Sequence, residues 1–182
     1  SLNLKKGDEI IMPTFTIISC ANAIIKSGLK PVLVDCNYDD WNMDLNNIEE
    51  KITNRTRAIL VVHIYGMSVN MKKIMQIKKK YNLKIIEDNS EGLGLDYDGK
   101  KCGSFADITT LSFYANKIVT TGEGGMVLCN KKSIYKRCLS IKNLFFKEPR
   151  FVHDEIGSNF RLTNLQAALG LAQLETIKKS IK

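Results

Sequence analysis

Short apolar runs rich in β-branched residues recur along the chain, and an amphipathic stretch separates each from the next. "EIIMP" precedes the helical pattern "TIISCANAIIKSG", which closes on Gly28 as a helix stop does. "KPVLVDC" leads to "DLNNIEEKI", "RAILVVHIYG" leads to "NMKKIMQIKKKYN", and "LKIIEDN" follows. Continuous apolar strands alternating with helices specify a mostly parallel sheet covered on both faces. Beyond that point the pattern changes. "YDGKKCG" reads as a turn between strands, "DITTLSFY" and "GGMVLCN" as strands, and "KSIYKRCLSIKNL" as a helix. A polar loop bearing aromatics, "FFKEPRFVHDEIGSNFRL", comes next, and the closing helix "TNLQAALGLAQLETIKK" is capped by Thr163. The expected class is α/β, with no interdomain linker and no internal repeat.

The 182 residues suffice for one domain that buries roughly 70% of its unfolded surface. The charge balance, 27 Lys+Arg against 19 Asp+Glu, gives +8. The lysines are dispersed. Lys72, Lys73, Lys78, Lys79 and Lys80 fall on the polar side of a helix whose apolar side is Met71, Ile74, Met75 and Ile77. That is a solvated face, and the chain lacks the basic stripe and base-stacking platform of a nucleic-acid binder. The surplus positive charge suits an anionic small substrate. Five cysteines without a C-x-x-C pair argue against a disulfide framework or zinc site and for a reducing, cytoplasmic setting. Two histidines, His63 and His153, exclude a histidine-rich metal site. The run "AILVVHIY" is far shorter than the ~20 residues of a membrane span. The chain begins at Ser1, reaches a strand almost at once, and stops within a helical pattern, so the expectation is a piece of a longer protein.

In open α/β sheets ligands bind beyond the carboxyl ends of the strands, so polar residues there carry weight. Asp88 ends the strand in "IIEDNSEG". Together with Glu91, three residues on, it forms a capping-box pattern for a following short helix. It equally suits a carboxylate facing a ligand. In "LSFYANKIVTTGEGGMV" an apolar run ends at Lys117, and Gly122, Gly124 and Gly125 follow. A lysine at a strand end is commonly solvated. Glycines that allow close backbone approach, and apolar neighbours that favour a neutral amine, make the alternative a nucleophile. "TTGEGG" lacks the context of a dinucleotide or P-loop motif. His63 is expected to be structural, and His153-Asp154 has no Ser or Cys nearby to support hydrolase chemistry.

An acid at one strand end, a lysine at another and a hydroxyl nearby match what pyridoxal phosphate requires: a Schiff-base lysine and a carboxylate on the ring nitrogen. Seven stretches carry a resemblance in order: "GDEIIMPTFT", "GLKPVLVDC", "NMDLNNIEEKIT", "TRAILVVHIYG", "IIEDNSEGLG", "GKKCGSFADITTLSFYANKIVTTGEGGMV" and "IGSNFRLTNLQAALGLAQLE". On these the chain resembles the DegT/StrS-type nucleotide-sugar aminotransferases, its last two stretches most like the perosamine-synthase branch.

The resemblance implies an aspartate-aminotransferase-like large domain over residues 1–182, without the family's upstream phosphate loop and small C-terminal domain. It implies that Lys117 is the Schiff-base lysine and proton shuttle, and that Asp88 pairs with the ring nitrogen. Glu91 stands near the cofactor's phenolic oxygen, and Ser112 binds its phosphate. Asn159 reaches the phosphate of a neighbouring subunit's cofactor, which implies a homodimer with shared sites. Ile17 stands where the family often has an aromatic stacked on the ring, so aliphatic packing takes its place. The implied reaction moves an amino group from glutamate to a 4-keto-6-deoxy nucleotide sugar. A lysine at position 117 argues against the related dehydratases, which carry histidine. A truncated domain that dimerises or binds a sugar nucleotide without turnover is the competing reading.

Overall fold

The computed structural model describes residues 1–181 and divides into two compact units, residues 2–111 and a second from Ser112 onward that also takes in Ser1.

In the first unit five parallel strands lie side by side in the order β2-β1-β3-β4-β7. They are β1 (Glu9–Pro13), β2 (Lys30–Val34), β3 (Thr56–Val62), β4 (Lys84–Asp88) and β7 (Ile108–Ser112). Side chains alternate across a strand, so each strand feeds both faces. Ile10, Met12, Ala58, Leu60 and Val62 pack on one face with Cys20 and Ile24 of α1 (Ile18–Lys26). Ile11, Ile59, Val61 and Ile85 pack on the other with Met71, Ile74 and Ile77 of α2 (Met71–Tyr81). This explains why the strands read as continuous apolar runs.

Helix α2 starts where the Asn70 side chain accepts the Lys73 N–H at 3.0 Å, and stops at Asn82 in the left-handed conformation, φ +50°. Its lysines reach outward: Lys78 pairs with Asp107 at 2.7 Å and Lys80 with Glu49. The hairpin expected in "YDGKKCG" is present as β5 (Asp96–Tyr97) and β6 (Lys100–Lys101). One amphipathic stretch does not become a helix. "DLNNIEEKI" yields a single 3-10 turn, Glu49–Lys51, because Asp44 holds the Asn46 N–H and the Asn47 amide in a local turn.

The second unit contains β8 (Gly125–Leu128), α3 (Lys132–Lys142) and α4 (Asn164–Ser180). Thr163 and Gln166 form a reciprocal capping box at the start of α4. Gln173, two turns further on, accepts the Thr120 N–H and donates to the Thr120 carbonyl, which ties α4 to the loop that follows Lys117.

Candidate active site

Strands β3 and β4 pair in register, with Val61 opposite Glu87 and Val62 opposite Asp88. This places the two neighbouring acids of "IIEDN" at the carboxyl edge on opposite faces, and their surroundings differ accordingly.

Glu87 is fully buried. Its Oε1 lies 2.9 Å from His63 Nε2 and accepts the Gly103 N–H at 2.5 Å, while Oε2 accepts the Thr109 hydroxyl at 3.3 Å. The Val69 N–H donates to His63 Nδ1 at 3.2 Å, so the ring proton sits on Nε2 and points at Glu87. Burial is the largest influence on the Glu87 carboxyl and raises it. Hydrogen bonds from His63 and Gly103 outweigh that and hold it below its ordinary value. The Cys102 thiol shares this pocket, and ligand atoms of His63, Glu87 and Cys102 lie within 4.8 Å of one another. With Nδ1 accepting from Val69 and Nε2 bearing the proton, His63 has no lone pair left for a cation. The cluster is a hydrogen-bonded buttress of the sheet edge, in keeping with the structural role expected of His63.

Asp88 is half-buried on the opposite side. Its Oδ1 accepts the Ser90 N–H at 3.0 Å and the Thr110 hydroxyl at 3.4 Å, and its Oδ2 accepts the Cys20 thiol at 3.3 Å. No helix starts at Asp88, and the residues after it run in turns to β5, so the capping-box reading of Asp88 and Glu91 does not hold. Glu91 instead accepts the backbone N–H of Tyr65 at 2.8 Å. Tyr65 is in the left-handed conformation, φ +51°, unusual for an aromatic residue, and its ring is exposed beside Phe15 at 6.0 Å between centroids. Phe15 in turn meets Trp41 at 5.2 Å. Ile17, at the N-cap of α1, is 66% exposed.

The remaining candidates belong to the second unit. The strand expected to run through Tyr114 stops at Ser112. Phe113 donates its N–H to the Gly124 carbonyl at 2.9 Å, and its own carbonyl accepts the Thr121 N–H at 2.9 Å and the Thr120 hydroxyl at 3.0 Å. Those bonds consume the next ladder positions and turn the chain. Lys117, half-buried, therefore lies in a closed loop with its N–H on the Tyr114 carbonyl at 3.0 Å, rather than at a strand end. One of the glycines has a local reason. At Gly124, φ +134°, a Cβ would stand 2.9 Å from the Thr121 hydroxyl and 3.0 Å from Leu162. The Ser112 hydroxyl accepts the Tyr114 N–H at 3.3 Å. Asn159 is exposed, bridges to Asn143, and accepts from Arg161 Nε at 2.7 Å.

Sequence reasoning missed the His63–Glu87–Gly103 buttress and the Cys20 and Thr110 contacts to Asp88. The apolar run around His63 and the small polar residues Thr16 and Cys20 at the start of α1 were the available signals.

A parallel sheet of this order, ending in an acid held by three donors, belongs to a known class. The chain is a member of the DegT/DnrJ/EryC1/StrS aminotransferase family, whose pattern matches residues 1–182. It is 48% identical over 176 residues to the GDP-perosamine synthase of Escherichia coli O157:H7, covering 96% of this chain and 48% of that protein. Among solved structures, Helicobacter pylori PseC, an aminotransferase of pseudoaminic acid biosynthesis, superposes with a TM-score of 0.90 at 34% identity, covering 96% of this chain and 47% of PseC. NtdA of Bacillus subtilis, with bound cofactor PMP, gives 0.88 at 37% identity, covering 98% and 41% respectively. These neighbours bear out the expected fold class. The chain spans about half the length of the curated relatives it matches.

Proposed function

We propose that this chain is the large-domain portion of a pyridoxal-phosphate-dependent aminotransferase that carries an amino group from glutamate to a 4-keto-6-deoxy nucleotide sugar. The observation that carries the reading is the Asp88 carboxylate. It sits at the carboxyl end of β4, and its Oδ1 is occupied by the Ser90 N–H and the Thr110 hydroxyl. Oδ2 holds a thiol and retains acceptor capacity for a protonated ring nitrogen. The donor set fits the cofactor. Pyridoxal phosphate, when bound, supplies a protonated ring that withdraws electrons from the reacting carbon.

In this reading Asp88 would keep the ring nitrogen protonated, and Lys117 would hold the cofactor covalently and serve as the proton carrier. Ser112 would hold the phosphate, Glu91 would serve the phenolic oxygen, and the exposed aliphatic side chain of Ile17 would pack against the ring. In a homodimer Asn159 would reach the phosphate of the partner subunit's cofactor. Similarity to the GDP-perosamine synthases of E. coli and Vibrio cholerae, 48% and 39% identical, supports a nucleotide-linked sugar as acceptor. Lys147, Arg150 and Arg161 line one hollow in the second unit with Asn143, Phe146 and Glu148, which suits an anionic ligand. The five free thiols fit a reducing, cytoplasmic setting, and among the described residues no helix is long and apolar enough to cross a membrane.

The test is the glutamate half-reaction of protein loaded with pyridoxal phosphate, followed by its absorbance. Wild type should convert the cofactor to its amino form. Asp88→Asn, which preserves the side-chain shape, should bind cofactor yet lose most of that conversion. Wild-type rates in Asp88→Asn would overturn the assignment.

A further inference from the structure

Asp88 is held asymmetrically, and a cysteine causes it. Cys20 lies in the first turn of α1, 5% exposed, and its thiol reaches across 68 residues of sequence to Asp88 Oδ2 at 3.3 Å. The Thr16 hydroxyl lies 3.4 Å from the same sulfur. With the thiol proton committed to Asp88, the Thr16 hydroxyl is the donor of that second contact, which gives a chain Thr16 to Cys20 to Asp88. The thiol keeps its proton. Burial pushes Cys20 up to about 11, and the neighbouring Asp88 charge acts in the same direction.

A carboxylate oxygen offers about two acceptor sites. Oδ1 spends both, on the Ser90 N–H and the Thr110 hydroxyl. Among the described residues the donor to Oδ2 is the Cys20 thiol, a weak donor that pins the oxygen without exhausting it. We propose that Cys20 is a positioning residue, whose thiol orients the Asp88 carboxylate so that Oδ2 is the oxygen left for the cofactor's protonated ring nitrogen. This rests on the function proposed above. An alanine in the same turn would fill similar space without a donor, so the chemical content lies in the hydrogen bond that the side chain donates.

The contact itself can be read without cofactor. The infrared difference spectrum of wild type minus Cys20→Ala isolates the Cys20 S–H stretching band. The expected band is shifted to lower frequency relative to a thiol with no acceptor, and Asp88→Ala should return it to the unbonded position. A band that Asp88→Ala leaves in place overturns the proposal. In protein loaded with pyridoxal phosphate, Cys20→Ala should slow the glutamate half-reaction about three- to tenfold, as loss of one hydrogen bond from a weak S–H donor implies. KM for glutamate should stay within about twofold, since the donor amino acid makes no contact in this scheme. Cys20→Ser, which keeps a donor, should recover most of the rate. A serine variant as slow as the alanine variant overturns the positioning role. If wild type shows no amino transfer at all, the aminotransferase reading fails, and the infrared comparison still decides whether the thiol holds Asp88.

Discussion

Replacing His63 by alanine should cost this protein more stability than any surface change, and the structure supplies the amount. The Glu87 side chain is fully inaccessible, and its Oε1 is shared between His63 Nε2 at 2.9 Å and the Gly103 N–H. Without the imidazole, the carboxylate stays in place with the Gly103 N–H and the Thr109 hydroxyl as donors, and a cavity opens beside it. Stripping one partner from a buried charged group costs about 3–5 kcal/mol. At about 2–4 °C per kcal/mol for a protein of this size, Tm should fall by about 6–20 °C. Glu87→Gln should cost less, because the amide oxygen still accepts from His63 and Gly103 and no charge is left behind. The pH dependence has a definite sign. The folded Glu87 carboxyl lies below its unfolded value, so its contribution is complete above the ordinary glutamate range of about 4.3 and is lost as pH falls through the depressed folded value. Thermal and urea unfolding, followed by circular dichroism from neutral to acid pH, measures both effects. A His63→Ala protein within about 1 kcal/mol of wild type, or a Glu87→Gln protein with unchanged acid sensitivity, would refute the buttress.

Thr163→Ala removes the hydroxyl half of the α4 capping box, the acceptor of the Gln166 N–H, while the Thr163 backbone N–H still reaches Gln166, and urea unfolding should show a loss of about 1 kcal/mol. Gly92→Ala would put a Cβ 2.2 Å from Asn89 Oδ1 and 3.3 Å from His63 Cβ, so Asn89 must move, and the melting temperature should drop by several degrees. Asn159→Ala breaks the contact with Arg161 on an exposed loop. It should leave thermal stability within about 0.5 kcal/mol while weakening pyridoxal phosphate binding in a titration, and unchanged affinity would remove Asn159 from the cofactor site.

The layered fold was legible because its signals are local. β-Branched runs feed both sheet faces, Asn70 and Thr163 cap helices, and Asn82 and Gly28 end them. Three readings failed where local pattern met tertiary competition. "DLNNIEEKI" has helical spacing, but Asp44 engages the following backbone and holds it in a turn. "SFY" alternates like a strand, yet the Phe113 N–H and carbonyl are claimed by Gly124, Thr120 and Thr121. Asp88 and Glu91 have capping-box spacing, but Glu91 is drawn to the N–H of the left-handed Tyr65. Asp88 itself was legible as a strand-end acid. Its partners were not, since Cys20 and Thr110 come together with it only through the parallel register of β4 with β7 and the docking of α1 on the sheet.

The central claim is that Lys117 is the covalent anchor of pyridoxal phosphate, and chemical trapping tests it most directly. Protein loaded with pyridoxal phosphate is reduced with borohydride, digested, and mapped by mass spectrometry. The account predicts one reduced cofactor adduct, on the peptide carrying Lys117, and its disappearance in a Lys117→Ala protein that retains the wild-type far-ultraviolet circular dichroism. An adduct on another lysine, or amino transfer that survives Lys117→Ala, would contradict it.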